Sequence, residues 1–315
     1  MASSIENLLR GQYSHKRGTE DRSLPPIVIV NDFGNHLSPA ECQLSITNVF
    51  DAHRIPNGRQ SKFMTIGDVK PFNVVDGAFQ ITQLAGNRRD METVFVGVVD
   101  PGVGTERRGI VVQTKEEHTF IGPDNGLLSL AFGEQQVKNA YTIRKDFFDQ
   151  VAPTFHGRDI FTPLAAEIAV GTDPVTIPAL ETIDPNDLMR LQLEEGHIVH
   201  HDGYQNAKLW KKGVPIISEG ERAVAVTITP EHRIFDRGLF RKSITVPVGR
   251  TFEDVEVGGW LVYEGSSGRN NNGGSGHVEV AIREGAGKNG AGNRLGTPVG
   301  GIIGLEWHFG GKKKR

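Results

Sequence analysis

The apolar run Thr93–Val99 stops abruptly at Asp100-Pro101-Gly102. Val and Phe dominate the run and a Pro-Gly breaker closes it, which predicts a buried strand with Asp100 at its carboxyl end. Directly after Pro25-Pro26, Ile27-Val28-Ile29-Val30 is a second continuous β-branched run of the kind buried on both faces, and it leads into Asn31-Asp32-Phe33-Gly34. Strands covered on both sides need helices on both sides, so this half of the chain is expected to be α/β. In open sheets of that class, ligands gather beyond the carboxyl ends of the strands. Gly102 and Gly104 let backbone come close to a ligand, Pro101 stiffens the exit from the strand, and Arg107 follows seven positions after Asp100 (107 minus 100). An isolated Asp-Pro-Gly is more simply a turn cap paired with a neighbouring arginine. Here related pieces recur downstream.

Those pieces are Phe120-Ile121-Gly122-Pro123-Asp124-Asn125-Gly126-Leu127-Leu128 and Thr154-Phe155-His156-Gly157-Arg158-Asp159-Ile160-Phe161. With Val98-Val99-Asp100-Pro101-Gly102-Val103-Gly104-Thr105 and Arg107-Arg108, their order and spacing resemble the S-adenosyl-L-methionine hydroxide adenosyltransferase family, relatives of fluorinating and chlorinating enzymes that use the same substrate. The resemblance implies a Rossmann-like, mostly parallel N-terminal sheet flanked by helices. It implies hydrolysis of S-adenosyl-L-methionine to adenosine and L-methionine, and a homotrimer with active sites at subunit interfaces. Asp100, Arg107 and His156 match the family's water-activating trio. Asp32 matches an aspartate that accepts a ribose diol, with Asn31 replacing the usual threonine, and residues 35–50 depart from the family pattern. Phe72 falls where the family has an aromatic wall, a role that stands beside the simpler one of a core residue. Phe155 accompanies His156 in its signature. Asp202 and Asn206 match a second-domain motif that meets the methionine ammonium and the amino-acid end, although Tyr204-Gln205 replaces Phe-Gly. Ser266-Ser267-Gly268 matches a strand-end segment that touches ligand through backbone and hydroxyl groups.

The sulfonium of such a substrate leaves as a neutral thioether, so no acid and no cofactor or metal is expected. The residues must hold a water or hydroxide behind C5′, remove its solvent and favour its deprotonation. A fixed carboxylate at Asp100 would repel a halide, which favours hydrolysis over halogenation. A protein that holds an adenosyl ligand without turnover stays open as the alternative, because of the departures at Asn31, after Gly34 and at Tyr204-Gln205.

A length of 315 residues accommodates two domains, and a net charge of −3 argues against a broad nucleic-acid or membrane surface, which leaves a small molecule as the expected partner. The single cysteine, Cys42, excludes an internal disulfide and fits a reducing cytoplasm. No apolar run approaches the ~18 residues of a spanning helix. The expected organisation is a disordered tail over 1–23, a catalytic α/β domain over 24–178, a linker over 179–191, a β domain over 192–310 and a basic tail over 311–315. Within the β domain, candidate strands at His197–His201, Ala223–Thr229, Ser243–Pro247, Gly259–Tyr263 and His277–Ile282 suggest a small barrel or sandwich. Thr162 is expected to cap a helix that Gly171 ends, with Pro163 in its first turn. An insertion is expected at 269–276. Gly285–Gly290 fits G-x-G-x-x-G by letter but is read as a false positive, with no helix expected after it.

Overall fold

β1 (Ile27–Asn31) and β3 (Val94–Val98) are buried at every position and lie side by side in parallel, Ile27 against Val94 and Asn31 against Val98. The computed structural model describes residues 23–34, 37–88, 91–148, 151–216, 223–230, 243–268 and 275–309. The expected tails over 1–23 and 311–315 and the insertion over 269–276 fall outside these residues, apart from Ser23, Ser275 and Gly276. The chain divides into two compact units, Met1–Leu191 and Gln192–Arg315.

In the first unit, β2 (Phe63–Ile66), β4 (Gly109–Thr114), β5 (Thr119–Pro123), β6 (Val137–Ile143) and β7 (Leu180–Thr182) complete a sheet of order β2-β1-β3-β5-β4-β6-β7. The pairings from β2 to β5 are parallel, whereas β5/β4, β4/β6 and β6/β7 are antiparallel. β4 and β7 therefore run against the other five strands, and the sheet is mostly parallel. Side chains alternate faces along a strand. Ile27 and Ile29 accordingly join a core with Cys42, Ile46 and Phe50 of α1 (Leu37–Ala52) and with Leu164, Ala165 and Ile168 of α4 (Thr162–Ala169). Val28 and Val30 join a second core with Ile81 and Ala85 of α2 (Val74–Gly86) and Ala131 and Phe132 of α3 (Ser129–Gln135). Helices on both faces are what make the continuous apolar strands possible.

Two local expectations are corrected. Thr162 is not a cap, because the chain is already helical before it: a π-helical turn over Gly157–Phe161 runs directly into α4. Pro163 has no N–H to donate and its ring crowds the carbonyl four residues back, so the chain widens there. Thr162 closes the wide turn through its backbone N–H, and its hydroxyl donates to Gly157 O at 2.9 Å. The stretch expected as a linker is stitched into the unit: β7 pairs with β6, Met189 N donates to Asp124 Oδ1 at 2.8 Å, and Leu191 N donates to Ser129 Oγ at 3.0 Å.

The second unit contains two antiparallel sheets. One has the order β12-β13-β9-β8, from β8 (Ile198–His201), β9 (Ala207–Lys212), β12 (Trp260–Glu264) and β13 (His277–Ile282). The other is β11-β10-β14, from β10 (Ala223–Pro230), β11 (Ile244–Pro247) and β14 (Ile303–Phe309). β9 and β14 were not expected. In β9, Ala207 and Leu209 are buried while Lys208 and Trp210 are not, a weak alternation between lysines. A five-residue helix, α5 (Ala291–Leu295), does follow Gly285–Gly290, contrary to expectation. The strand before these glycines is β13, which is antiparallel to both neighbours, and not a strand of a βαβ unit. Among the described residues, no helix is long and apolar enough to cross a membrane.

Candidate functional site

Beyond β3 the chain turns tightly. Gly102 N donates to Asp100 Oδ1 at 3.2 Å, and Val103 N donates to Asp100 O at 3.2 Å. Gly104 adopts φ +77°, and a Cβ there would sit 2.9 Å from Pro153 O, so glycine is required on both counts. The turn brings Arg107 back onto Asp100: Nε lies 3.0 and 2.8 Å from the two carboxylate oxygens, and Nη2 also donates to Oδ2. The two side chains are 9% and 6% exposed, which makes this a buried, bidentate ion pair. Asn125 pins the strand end from the side, its Nδ2 donating to Val99 O at 3.0 Å while its Oδ1 accepts from Leu127 N at 3.1 Å.

His156 arrives from the start of the π-helical turn. Gly157 makes the approach possible, since a Cβ there would stand 2.6 Å from Val98 Cγ1. The imidazole is 4% exposed, and its Nδ1 lies 2.6 Å from Arg107 Nη2. A guanidinium nitrogen only donates, so Nδ1 must accept and a neutral ring carries its proton on Nε2. Burial first, and then the Arg107 charge, hold the imidazole below the ordinary histidine pKa; Asp100 and Asp159 oppose this in part. Arg107 Nη1 is buried and bonded to no acceptor among the described residues. The group thus offers a spare guanidinium NH2 with two N–H donors, an imidazole N–H and a fixed carboxylate, suited to a small oxygen nucleophile. Turn capping by Asp100 and its pairing with Arg107, the simpler reading of the sequence, are both present. The imidazole is what exceeds them.

Neighbouring β1 carries the next expected residues. Asp32 Oδ2 accepts from Phe72 N at 2.7 Å. Phe72 is 71% exposed and held at φ +65°, so it is not a core residue but a strained, presented ring. Asn31 is buried and bridges the ends of β1 and β2, its Nδ2 donating to Ile66 O at 3.2 Å and its Oδ1 accepting from Phe33 N at 3.0 Å. Phe155 packs edge-on against Phe33 at 5.4 Å and lies beneath the Arg158 guanidinium at 4.7 Å. Arg158 pairs with Asp159 at 2.6 Å and with Glu41 at 3.3 Å. Asp32 and Asp100 each follow the carboxyl end of one of two adjacent parallel strands.

In the second unit, Asp202 and Asn206 form one tight turn. Asp202 Oδ1 accepts from Tyr204 N and Asn206 N, both at 2.9 Å, and Oδ2 accepts from Asn206 Nδ2 at 3.0 Å. Gln205 adopts φ +66°. That is a left-handed backbone of the kind glycine adopts without strain, and Gly292 N donates to the Gln205 carbonyl at 2.7 Å. Ser266 and Ser267 follow β12, and Ser267 O accepts from His277 N at 2.7 Å. A buried polar group nearby was not anticipated. Glu279 receives Lys208 Nζ at 2.5 Å on one oxygen and the Tyr263 hydroxyl at 2.7 Å on the other. Burial, followed by the Glu279 charge, raises the Tyr263 pKa well above its ordinary value. A Cβ at Gly265 would overlap Glu279, so that glycine makes room for the carboxylate. A Glu inside the apolar strand His277–Ile282 was the available signal. Among the described residues, no three His, Cys, Asp or Glu side chains are disposed to share a metal ion.

Residues 27–177 match the family model of the SAM hydroxide adenosyltransferase N-terminal domain. The chain is similar to the (R)-S-adenosyl-L-methionine hydrolase of Thermus thermophilus, 31% identical over 221 residues that cover 65% of this chain and 74% of that protein. It is also similar to the protein of that name from Methanocaldococcus jannaschii, 27% identical over 59% of this chain and 66% of the relative. A third such protein, from Salinispora tropica, is 32% identical over 56% of this chain and 65% of its own. The chain thus spans about two thirds to three quarters of these relatives. In fold it is similar to a conserved protein of Thermotoga maritima with TM-score 0.67 and 23% identity, covering 89% of this chain and 99% of that one. A conserved Thermus thermophilus protein gives TM-score 0.65 at 24% identity, covering 90% and 100%. With a family match that begins at β1 and ends just before β7, and 31% identity across nearly three quarters of a relative, the chain belongs to the S-adenosyl-L-methionine hydroxide adenosyltransferase family.

Proposed function

We propose that the protein hydrolyses S-adenosyl-L-methionine to adenosine and L-methionine by in-line attack of a water or hydroxide on C5′. The observation that carries this reading is the buried meeting of Asp100, Arg107 and His156 beyond β3. Because the thioether leaves without a proton, the work lies in placing and deprotonating the nucleophile, and no cofactor is required. Arg107 Nη1 is the donor that stabilises developing hydroxide, and the His156 Nε2–H is a second. Asp100 receives the water's hydrogen: the single Nδ1 lone pair of His156 is taken by Arg107, whereas each carboxylate oxygen can accept more than one hydrogen bond. The Asp100 carboxylate gives a water hydrogen an acceptor and a halide, which carries no hydrogen, only a like charge, which favours water as the nucleophile.

In this reading Asp32 accepts the ribose hydroxyls, while Phe72 and Phe155 offer aromatic faces to the nucleoside. Asp202 meets the methionine ammonium, Asn206 its amino-acid end, and Ser266 and Ser267 supply backbone and hydroxyl contacts. The names of the relatives specify the R sulfonium, so the (R) epimer is the preferred substrate. Incubating the protein with each epimer and following adenosine by chromatography tests this; absence of adenosine from both would overturn it and leave a ligand-binding protein. The same reading takes the first unit as Rossmann-like, supported by its parallel strands under helices on both faces, and the second as barrel-like. It also takes the assembly as a cytoplasmic homotrimer with active sites at subunit interfaces.

A further inference from the structure

The catalytic trio is packed against two aromatic rings that no part of the reaction requires. The Arg107 guanidinium carbon lies 5.4 Å from the ring centres of both Phe148 and Phe161. Phe148 also lies 4.8 Å, centre to centre, from the His156 imidazole, tilted by 60°. Both rings fit because residue 109 is glycine: a Cβ there would meet Phe148 Cζ at 2.9 Å and Phe161 Cε1 at 3.0 Å. Phe161 is fully buried core, whereas Phe148 is half-buried at the end of a single helical turn, Lys145–Phe148. Phe148 is thus the ring that touches both Arg107 and His156.

We propose that Phe148 is a positioning residue, whose ring holds the Arg107 guanidinium and the His156 imidazole against one another and keeps solvent off the edge they share. The face of the ring attracts the cation while offering it no strong acceptor, so the spare Nη1 hydrogens are kept for the nucleophile rather than spent on water or a protein oxygen. Burial is the largest cause that holds the His156 pKa down and the Arg107 charge the next, and the ring serves both by covering the imidazole and keeping the guanidinium beside it; Asp100 and Asp159 oppose them, and neither touches residue 148 in any contact described above. A shift in its titration would therefore report the ring.

The kinetic arm of the test rests on the hydrolytic reading, and the titration arm does not. Phe148→Leu keeps an apolar side chain and removes the ring face; Phe148→Met is the second variant should the first disturb folding. Histidine-labelled protein, with the His156 signal assigned by its loss in His156→Gln, is titrated by NMR. The His156 midpoint is expected to rise toward the ordinary histidine value in the Phe148 variants, and kcat to fall roughly 10-fold with KM little changed. Phe147→Leu, in the same turn but with its ring buried elsewhere, is expected to lower thermal stability and leave the His156 midpoint in place. An unchanged midpoint and kcat in a folded Phe148 variant would overturn the proposal, as would an equal shift from Phe147→Leu. If wild-type protein releases no adenosine, the hydrolytic reading falls while the titration still decides the role of Phe148.

Discussion

Asp100 accepts from Arg107 on both oxygens and from the Gly102 amide, so its geometry is fixed before any ligand binds. Asp100→Ala is expected to lower kcat by about 100-fold or more while S-adenosyl-L-methionine still raises the melting temperature; unchanged turnover would reject its role. Gln205 marks a second residue-scale conflict, a side chain on a left-handed backbone. Gln205→Gly is expected to stabilise the protein by about 1 kcal/mol, read by denaturant unfolding, because the Cβ strain is relieved. His118, buried against Phe95 and Phe120, and His156 both have pKa values held below the ordinary histidine value, in each case chiefly by burial. The unfolded chain then binds more protons, so stability is full above about pH 6.5 and falls as pH drops through the ordinary and then the folded value. Unfolding midpoints measured across that range should show the loss, and His118→Leu should reduce its slope.

At the scale of elements, the π-helical turn before α4 sets where His156 stands. Gly157→Ala would press a methyl onto Val98, at an expected cost of about 1–3 kcal/mol in stability, and would push His156 off Arg107. A displacement of that kind is expected to cost about 100-fold in kcat, which separates it from a variant that is merely less stable. Such a turn was not legible in Thr162-Pro163, because a capping hydroxyl and a first-turn proline describe an ordinary helix start equally well. α1 was missed for a different reason. Cys42, Ile46 and Phe50 recur every four residues and are its buried face, but Asn, Ser and Pro dilute the pattern around them. α2 begins more plainly, at a capping side chain: Asn73 accepts from Asp76 N at 2.9 Å.

For the whole molecule, the proposed homotrimer predicts a solution mass three times that of one chain by light scattering, and a monomer would overturn it. Chelators are expected to leave adenosine release unchanged. The sequence by itself determined the buried strands β1 and β3, because continuous Val/Ile and Val/Phe runs act over a few residues, and its motif spacings named the groups proposed to react. What only the tertiary structure decided was long-range. His156 is brought 2.6 Å from a guanidinium 49 positions earlier, Phe72 is exposed rather than core, and Phe148 stands beside two of the trio, Arg107 and His156. Local pattern specifies which face of an element is apolar. Which imidazole meets which arginine depends on how two covered faces of one sheet close around glycines that leave no room for a side chain.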